Sequence, residues 1–87
     1  MRPLGAEHPQ VAVSSDNLAA LYEAQGRYAA AEPLYRQSLR IRVKAFGRGH
    51  PSVARVLENM ARCFKELGKE DEALGLEAQA REIRSNK

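Results

Sequence analysis

The chain has 87 residues, a net charge of +3, 44% hydrophobic and 29% charged residues. This length allows one small domain, and the composition is typical of a folded chain and not of a disordered one. The single cysteine, Cys63, excludes an internal disulfide bond. The sequence contains no apolar stretch of roughly 20 residues and no signal peptide at its start. We therefore expect a cytoplasmic protein without a membrane span.

The first half of the chain predicts two helices. Apolar residues recur at helical spacing in residues 9–25 and again in residues 28–46. Gly26 separates the two segments and suits the left-handed turn that ends many helices. Pro33 lies inside the second segment, where it removes a backbone hydrogen bond. We expect this proline to cause a slight kink or a later helix start.

The second half of the chain repeats this organisation. The loop after residue 46 contains two glycines and leads to His50 and Pro51, and a proline is favoured at the first position of a helix. Helical spacing then predicts helices near residues 51–67 and 70–84, separated by Gly68. Four helices and no strands are expected.

The two halves are copies of one unit. His8-Pro9 recurs 42 residues later as His50-Pro51. Residues 4–45 align with residues 46–87 at this offset. The identical pairs are Gly5/Gly47, His8/His50, Pro9/Pro51, Val11/Val53, Ala12/Ala54, Asn17/Asn59, Ala19/Ala61, Gly26/Gly68, Ala31/Ala73, Leu34/Leu76, Gln37/Gln79, Ile41/Ile83 and Arg42/Arg84. We therefore expect one domain, residues 1–87, built from two helix-turn-helix repeats.

The pattern of the first unit resembles the tetratricopeptide repeat. The residues that carry the resemblance are Asn17, Leu18, Ala19, Tyr22, Gly26, Tyr28, Ala31, Tyr35 and Ile41. The 42-residue period and the Gly-x-x-His-Pro segment are similar to the longer repeats of the kinesin light chain type. The resemblance implies an all-α fold, a short right-handed α-solenoid of four helices. It also implies a scaffold or adaptor that binds proteins and is not an enzyme.

Catalytic and metal-binding groups are not predicted. His8 and His50 lack a second ligand at the short spacing of a metal site, so we expect them to act at the starts of helices. Cys63 falls on an apolar helical face, which favours a buried thiol over a nucleophile. The sequence contains no phosphate-binding glycine loop or Ser-His arrangement. We expect no catalytic residue, no metal and no cofactor.

The first helix of each repeat is the predicted ligand surface, because in tetratricopeptide arrays these helices line a concave groove for a peptide or a partner helix. The groove residues implied by the resemblance are Asp16, Asn17, Ala20, Glu23, Arg55, Glu58, Asn59, Arg62, Lys65 and Glu66. Asn17 and Asn59 occupy equivalent positions, and an amide can both donate to and accept from the backbone of an extended ligand. The alternative is that each amide bonds a neighbouring helix within the fold.

Self-assembly is a second possible function. Ala12, Ser15, Ala19 and Tyr22 are small or amphipathic residues that would meet a preceding repeat in a longer array. The last helix is polar at the corresponding end, where Glu77 precedes Arg81 by four residues in the order that favours an ion pair. We expect a two-fold homodimer through the first helix. Whether the chain is part of a longer array stays open.

A basic row on the second helix is the one charge asymmetry. Arg36, Arg40 and Lys44 follow one another at four-residue spacing, and no acid occurs between residues 34 and 49. A solvated helix face is the simplest interpretation, and an acidic protein partner or RNA are the alternatives. RNA binding is the weaker of these, because the aromatic residues that stack on bases are missing. The sequence does not decide whether the concave groove or this basic face is the working surface.

Overall fold

Residues 8–85 form four α-helices. The computed structural model describes residues 8–85, and residues 4–7 and 86–87 of the two predicted repeats lie outside them. The helices are α1 (Pro9–Ala24), α2 (Tyr28–Phe46), α3 (Pro51–Glu66) and α4 (Glu70–Ser85). The described residues contain no strand. The all-α prediction is confirmed, and each predicted helix boundary lies within one residue of the observed one.

A histidine caps the start of the first helix in each repeat. The Nδ1 atom of His8 accepts a hydrogen bond from the backbone N–H of Gln10 at 3.1 Å. His50 does the same for the N–H of Ser52 at 3.0 Å. These bonds satisfy backbone donors that the first turn of a helix leaves without a partner. The prediction that both histidines act at helix starts is therefore confirmed.

A glycine ends the first helix in each repeat. Gly26 has a φ of 76° and Gly68 has a φ of 81°, the left-handed conformation that favours glycine. Beyond Gly26, the N–H of Arg27 donates to the carbonyl of Tyr22 at 2.8 Å, and the equivalent bond beyond Gly68 has the same length. This pattern is the Schellman motif, and it turns the chain back so that the next helix can pack against the previous one.

Pro33 does not delay the start of α2. The helix begins at Tyr28, five residues before the proline, and continues through it to Phe46. The N–H of Ala31 already donates to the carbonyl of Arg27 at 3.1 Å, so the first turn closes directly after the glycine turn. The prediction of a later start is wrong because the turn at Gly26 fixes the start of the helix independently of Pro33.

The helices pack in chain order, α1 against α2, α2 against α3 and α3 against α4. Two repeat-equivalent pairs of alanines, Ala19 with Ala61 and Ala31 with Ala73, are at most 1% exposed. Alanines at these positions let the helix backbones approach closely. The main core cluster joins them to larger side chains from α2 and α3, of which Tyr35 is fully buried.

Two glycine substitutions should change stability in opposite directions. Gly68→Ala places a side chain at positive φ and should lower the free energy of unfolding by about 1 kcal/mol. Gly75→Ala lies inside α4, where an added Cβ meets nothing within 4 Å, and should raise it by roughly 0.5–1 kcal/mol. Urea denaturation followed by circular dichroism measures both. Equal effects of the two substitutions would contradict the assignment of the Gly68 turn.

Candidate functional site

A largely buried carboxylate joins three helices. The Tyr35 hydroxyl of α2 donates to Glu23 Oε1 of α1 at 2.6 Å. Arg62 of α3 donates to both carboxylate oxygens, from Nη2 to Oε1 at 2.9 Å and from Nε to Oε2 at 3.1 Å. The Glu23 side chain is only 10% exposed. We call this set of three residues the Glu23 junction.

The Glu23 junction shifts the ionisation of its members. Burial raises the pKa of Glu23, but the hydrogen bonds from Arg62 and Tyr35 outweigh burial and leave the pKa below its usual value of 4.5. The hydrogen bond to Glu23 raises the pKa of Arg62. Burial and the bond to Glu23 raise the pKa of Tyr35. At neutral pH the junction is therefore an ionised carboxylate between a guanidinium and a neutral phenol.

The second repeat links the same two positions with a different pair. Glu23 and Tyr35 align with Lys65 and Glu77, and Lys65 Nζ lies 2.7 Å from Glu77 Oε2. The predicted i, i+4 pair of Glu77 with Arg81 is thus replaced by a contact between α3 and α4. Glu77 thus has its ion-pair partner on the other helix of its own hairpin and not on α4.

A second link also recurs at the 42-residue offset. Asp16 of α1 forms an ion pair with Arg42 of α2. The equivalent residues, Glu58 and Arg84, are joined by two hydrogen bonds of 2.6 and 2.8 Å. The hydrogen bonds from Arg84 hold the pKa of Glu58 below its usual value. Each helical hairpin is therefore tied by the same acid-base pair.

Half of the ten predicted groove residues are engaged in these links. Asp16, Glu23, Glu58, Arg62 and Lys65 all pair with side chains of this chain. The other five are Asn17, Ala20, Arg55, Asn59 and Glu66, of which Asn59 is half-buried and the rest are exposed. Their role in binding stays a prediction.

The two predicted asparagines differ in exposure. Asn17 is exposed on α1 and Asn59 is half-buried on α3. Within residues 8–85, neither amide side chain forms a hydrogen bond to another helix. The interpretation of the asparagines as internal fold contacts therefore has no support in the described part of the chain.

The predicted self-association face lies inside the fold. Ala12 and Ala19 are at most 1% exposed, and Ser15 is 6% exposed, with its hydroxyl donating to Gln37 Oε1 of α2 at 3.0 Å. Tyr22 is half-buried, with the Arg27 guanidinium 4.8 Å above its ring. The assignment of Ala12, Ser15 and Ala19 to a free surface is wrong, because all three are buried within this chain. For Tyr22, which is partly exposed, a role in self-association stays a prediction.

The exposed apolar side chains of α1 lie on a different face from the buried alanines. Leu18 and Leu21 are 41% and 53% exposed. Their repeat equivalents, Met60 and Cys63, are buried against α2, and the Cys63 thiol lies 3.5 Å from the carbonyl oxygen of Tyr28. The same holds for exposed Ser14, whose equivalent Val56 is 1% exposed.

This comparison defines the α1 outer face as Ser14, Leu18 and Leu21. In the second repeat, the matching positions are where the preceding helix packs. This face was missed from the sequence because Ala12, Ser15 and Ala19, and not Leu18 and Leu21, were predicted to face a preceding repeat. Alignment of Leu18 with Met60 and of Leu21 with Cys63 was the signal that could have identified it.

A groove of about 760 Å³ lies between α2, α3 and α4. Its floor is aliphatic and consists of Leu39, Val43, Val53, Leu57 and Ile83. Its rim is polar and consists of Arg36, Arg40, Lys44, Arg48, Gln79 and Glu82. We call it the basic-rimmed groove. The sequence identified the basic row of the rim, but none of the ten predicted groove residues lines it.

Cys63 is a buried, free thiol. Cys63 is fully buried, and burial together with the nearby Glu23 charge raises the pKa of its thiol to about 11.

Among residues 8–85, no three His, Cys, Asp or Glu side chains are grouped in a way that could hold a metal ion. No helix in this range has the length and apolarity to cross a membrane.

Two helical hairpins with the same caps, the same glycine turns and the same cross-links define a helical repeat protein. The sequence model of the tetratricopeptide repeat matches residues 10–86. The chain belongs to the tetratricopeptide repeat family. Comparison with curated proteins gives no match.

Glu23→Gln should weaken the fold in a pH-dependent way. Because the pKa of Glu23 is lowered on folding, its contribution to stability is present above pH 4.5 and is lost as the pH falls through the folded-state pKa. At pH 7 the substitution should lower the free energy of unfolding by about 1–2 kcal/mol, toward the low end because Arg62 is exposed to solvent.

The measurement is urea denaturation of wild type and variant from pH 7 to acid, where the two stabilities should converge. Glu66→Gln removes an exposed carboxylate from α3 and serves as the matched control, with little change at any pH. A constant difference between wild type and Glu23→Gln at all pH values would contradict the ionised junction.

Proposed function

We propose that this chain is a non-enzymatic adaptor that holds a peptide or a partner helix of another protein against α1 and α3. Tetratricopeptide repeat proteins generally mediate protein-protein interactions. Residues 1–87 act in this proposal as a single module of two repeats, residues 4–45 and 46–87.

The observation that carries the proposal is the pair of asparagines one repeat apart. Asn17 and Asn59 recur at equivalent positions, and both amides are free of hydrogen bonds to other helices within residues 8–85. An amide bonds a peptide backbone without selecting its side chain. Nearby Ala20, Arg55 and Glu66 are exposed and give the surface a mixed charge. We therefore expect backbone recognition with modest side-chain selectivity.

The Glu23 junction supports this surface indirectly. Arg62 of α3 is held by Glu23 of α1, which fixes the spacing of the two helices that carry the asparagines. A groove that is already formed loses less entropy when it orders a ligand. The ion-paired residues of the predicted groove thus act in positioning, and the asparagines act in binding.

We further infer that the repeats belong to the longer, kinesin light chain-like subtype and that the protein works in the cytoplasm. The 42-residue period supports the subtype, since the helix caps, glycine turns and acid-base links all recur at this offset. The buried, unpaired Cys63 supports a reducing compartment.

The proposal predicts that Asn17→Ala/Asn59→Ala loses a partner without losing stability. Affinity purification on the immobilised chain, followed by quantitative mass spectrometry, should recover at least one protein whose yield falls by about tenfold with this variant. The control is Gln10→Ala/Gln25→Ala, which removes two exposed amides from the ends of α1. We call the surface around Asn17 and Asn59 the asparagine face. If no protein distinguishes the two variants, the asparagine face is not the binding surface.

Self-assembly is a second candidate function, and the α1 outer face favours it. Leu18 and Leu21 are exposed where the second repeat buries Met60 and Cys63 beneath a neighbouring helix. A preceding helix of similar shape would cover them, but α4 offers a poor match. The α2 residues Tyr35 and Leu39 correspond in α4 to Glu77 and Arg81. A two-fold contact of α1 with α1 of a second copy avoids this polar face.

Leu21→Glu should dissociate such a dimer. The substitution places a charge in the apolar contact and should raise the dimer dissociation constant by at least about tenfold. Leu74→Glu alters an equally exposed leucine on α4 and should leave the dimer intact, since Leu21 and Leu74 are 53% and 59% exposed. Sedimentation equilibrium at several concentrations measures both. A monomer at every concentration would exclude self-assembly. Ala19→Glu is unsuitable because Ala19 is buried in the core.

A further inference from the structure

We propose that the basic-rimmed groove is a second interaction surface, which binds an acidic amphipathic helix of a partner protein. It is lined by α2, α3, α4 and the loop residue Arg48, and no residue of α1 contributes to it. The inference is independent of the asparagine face, because the two surfaces share no residue.

The floor of the groove lies over a second core cluster, which consists of Val53, Ala54, Leu57 and Ala80. Val53 and Leu57 of α3 are at most 3% exposed and form its base. Leu39, Val43 and Ile83 pack against this cluster from α2 and α4 but are only half-buried. Aliphatic side chains that pack on one side and are open to solvent on the other gain free energy when a ligand covers them.

The rim carries an excess of positive charge. Four of its side chains are basic, whereas Glu82 is its single acid. Arg36 is paired with Glu32, an acid outside the groove lining. Arg40 and Arg48 form no ion pair within residues 8–85. The unpaired positive charge of Arg40 and Arg48 therefore favours an acidic partner.

The spacing of the rim charges favours a helical partner. Arg36, Arg40 and Lys44 lie at four-residue intervals, so one positive charge follows another at about every helical turn along α2. A partner helix lying alongside α2 would offer acids at the same rise, and its apolar stripe would face the floor. Nucleic acid fits less well, because no aromatic side chain lines the groove to stack on bases.

The test uses a synthetic helical peptide with leucines along one face and glutamates on both flanks, labelled with fluorescein. Fluorescence anisotropy at about 150 mM salt gives its dissociation constant for the whole chain. We expect Arg40→Glu/Arg48→Glu to weaken binding by about tenfold or more. Arg27→Glu/Arg81→Glu makes the same change of charge at two exposed arginines outside the groove, and we expect binding within about twofold of wild type. Circular dichroism verifies that all variants are folded.

Two further peptides distinguish binding in the groove from binding by charge attraction alone. A helix with lysine flanks should bind at least about tenfold more weakly than the acidic helix. A helix of the same composition, with its leucines distributed around all faces, should lose affinity to a similar extent. If the second peptide binds as tightly as the amphipathic one, or if both double variants weaken binding equally, the groove is not the site and the inference fails.

Amide chemical shifts then locate the bound peptide. We expect changes at Val43 and Ile83 and none at Asn17 and Asn59. Changes confined to the asparagines would overturn the groove and support the proposed adaptor surface, so the two hypotheses fail separately. Absence of binding by the acidic helix, together with Arg40- and Arg48-dependent binding of an oligouridine probe, would assign the groove to RNA instead.

Discussion

One largely buried carboxylate links the first three helices. Glu23 of α1 accepts bonds from Tyr35 of α2 and Arg62 of α3, so a single side chain fixes three elements. A carboxylate that is only 10% exposed is costly unless its oxygens are satisfied, and here three donors satisfy them. This requirement restricts how α1 and α3 can lie across α2. The proposed asparagine face depends on that arrangement, because Asn17 lies on α1 and Asn59 lies on α3.

Helix boundaries were predictable from sequence because they depend on local chemistry. His8 and His50 cap backbone donors two residues away, and Gly26 and Gly68 adopt a backbone conformation that other residues avoid. The family could also be inferred from sequence, because recognising a 42-residue repeat requires no knowledge of side-chain contacts. The later start expected for α2 was wrong because the turn at Gly26 sets where the helix begins, whereas the kink expected at Pro33 stays a prediction.

The functional surfaces were less predictable, because side-chain partners depend on how helices rotate against each other. Asp16 and Glu23 were expected on a ligand surface, but both pair with residues of this chain that are distant in sequence. Ala19 is buried and its neighbour Leu18 is exposed, about 100° further around α1. Both residues are apolar, so residue type alone does not tell which of the two faces the core. The basic row was visible in the sequence, whereas the floor of its groove combines residues of three helices.

The exchange of Glu23 and Tyr35 for Lys65 and Glu77 shows how two copies of one repeat diverge. Each pair links the same two positions, yet the residues cannot be exchanged one at a time. A lysine opposite Tyr35 would be a cation without an anion. A glutamate opposite Glu77 would place two anions in contact. In this chain the residues at the two positions are therefore compatible only as a pair. An engineer who lengthens this array by copying one unit must transfer both partners together.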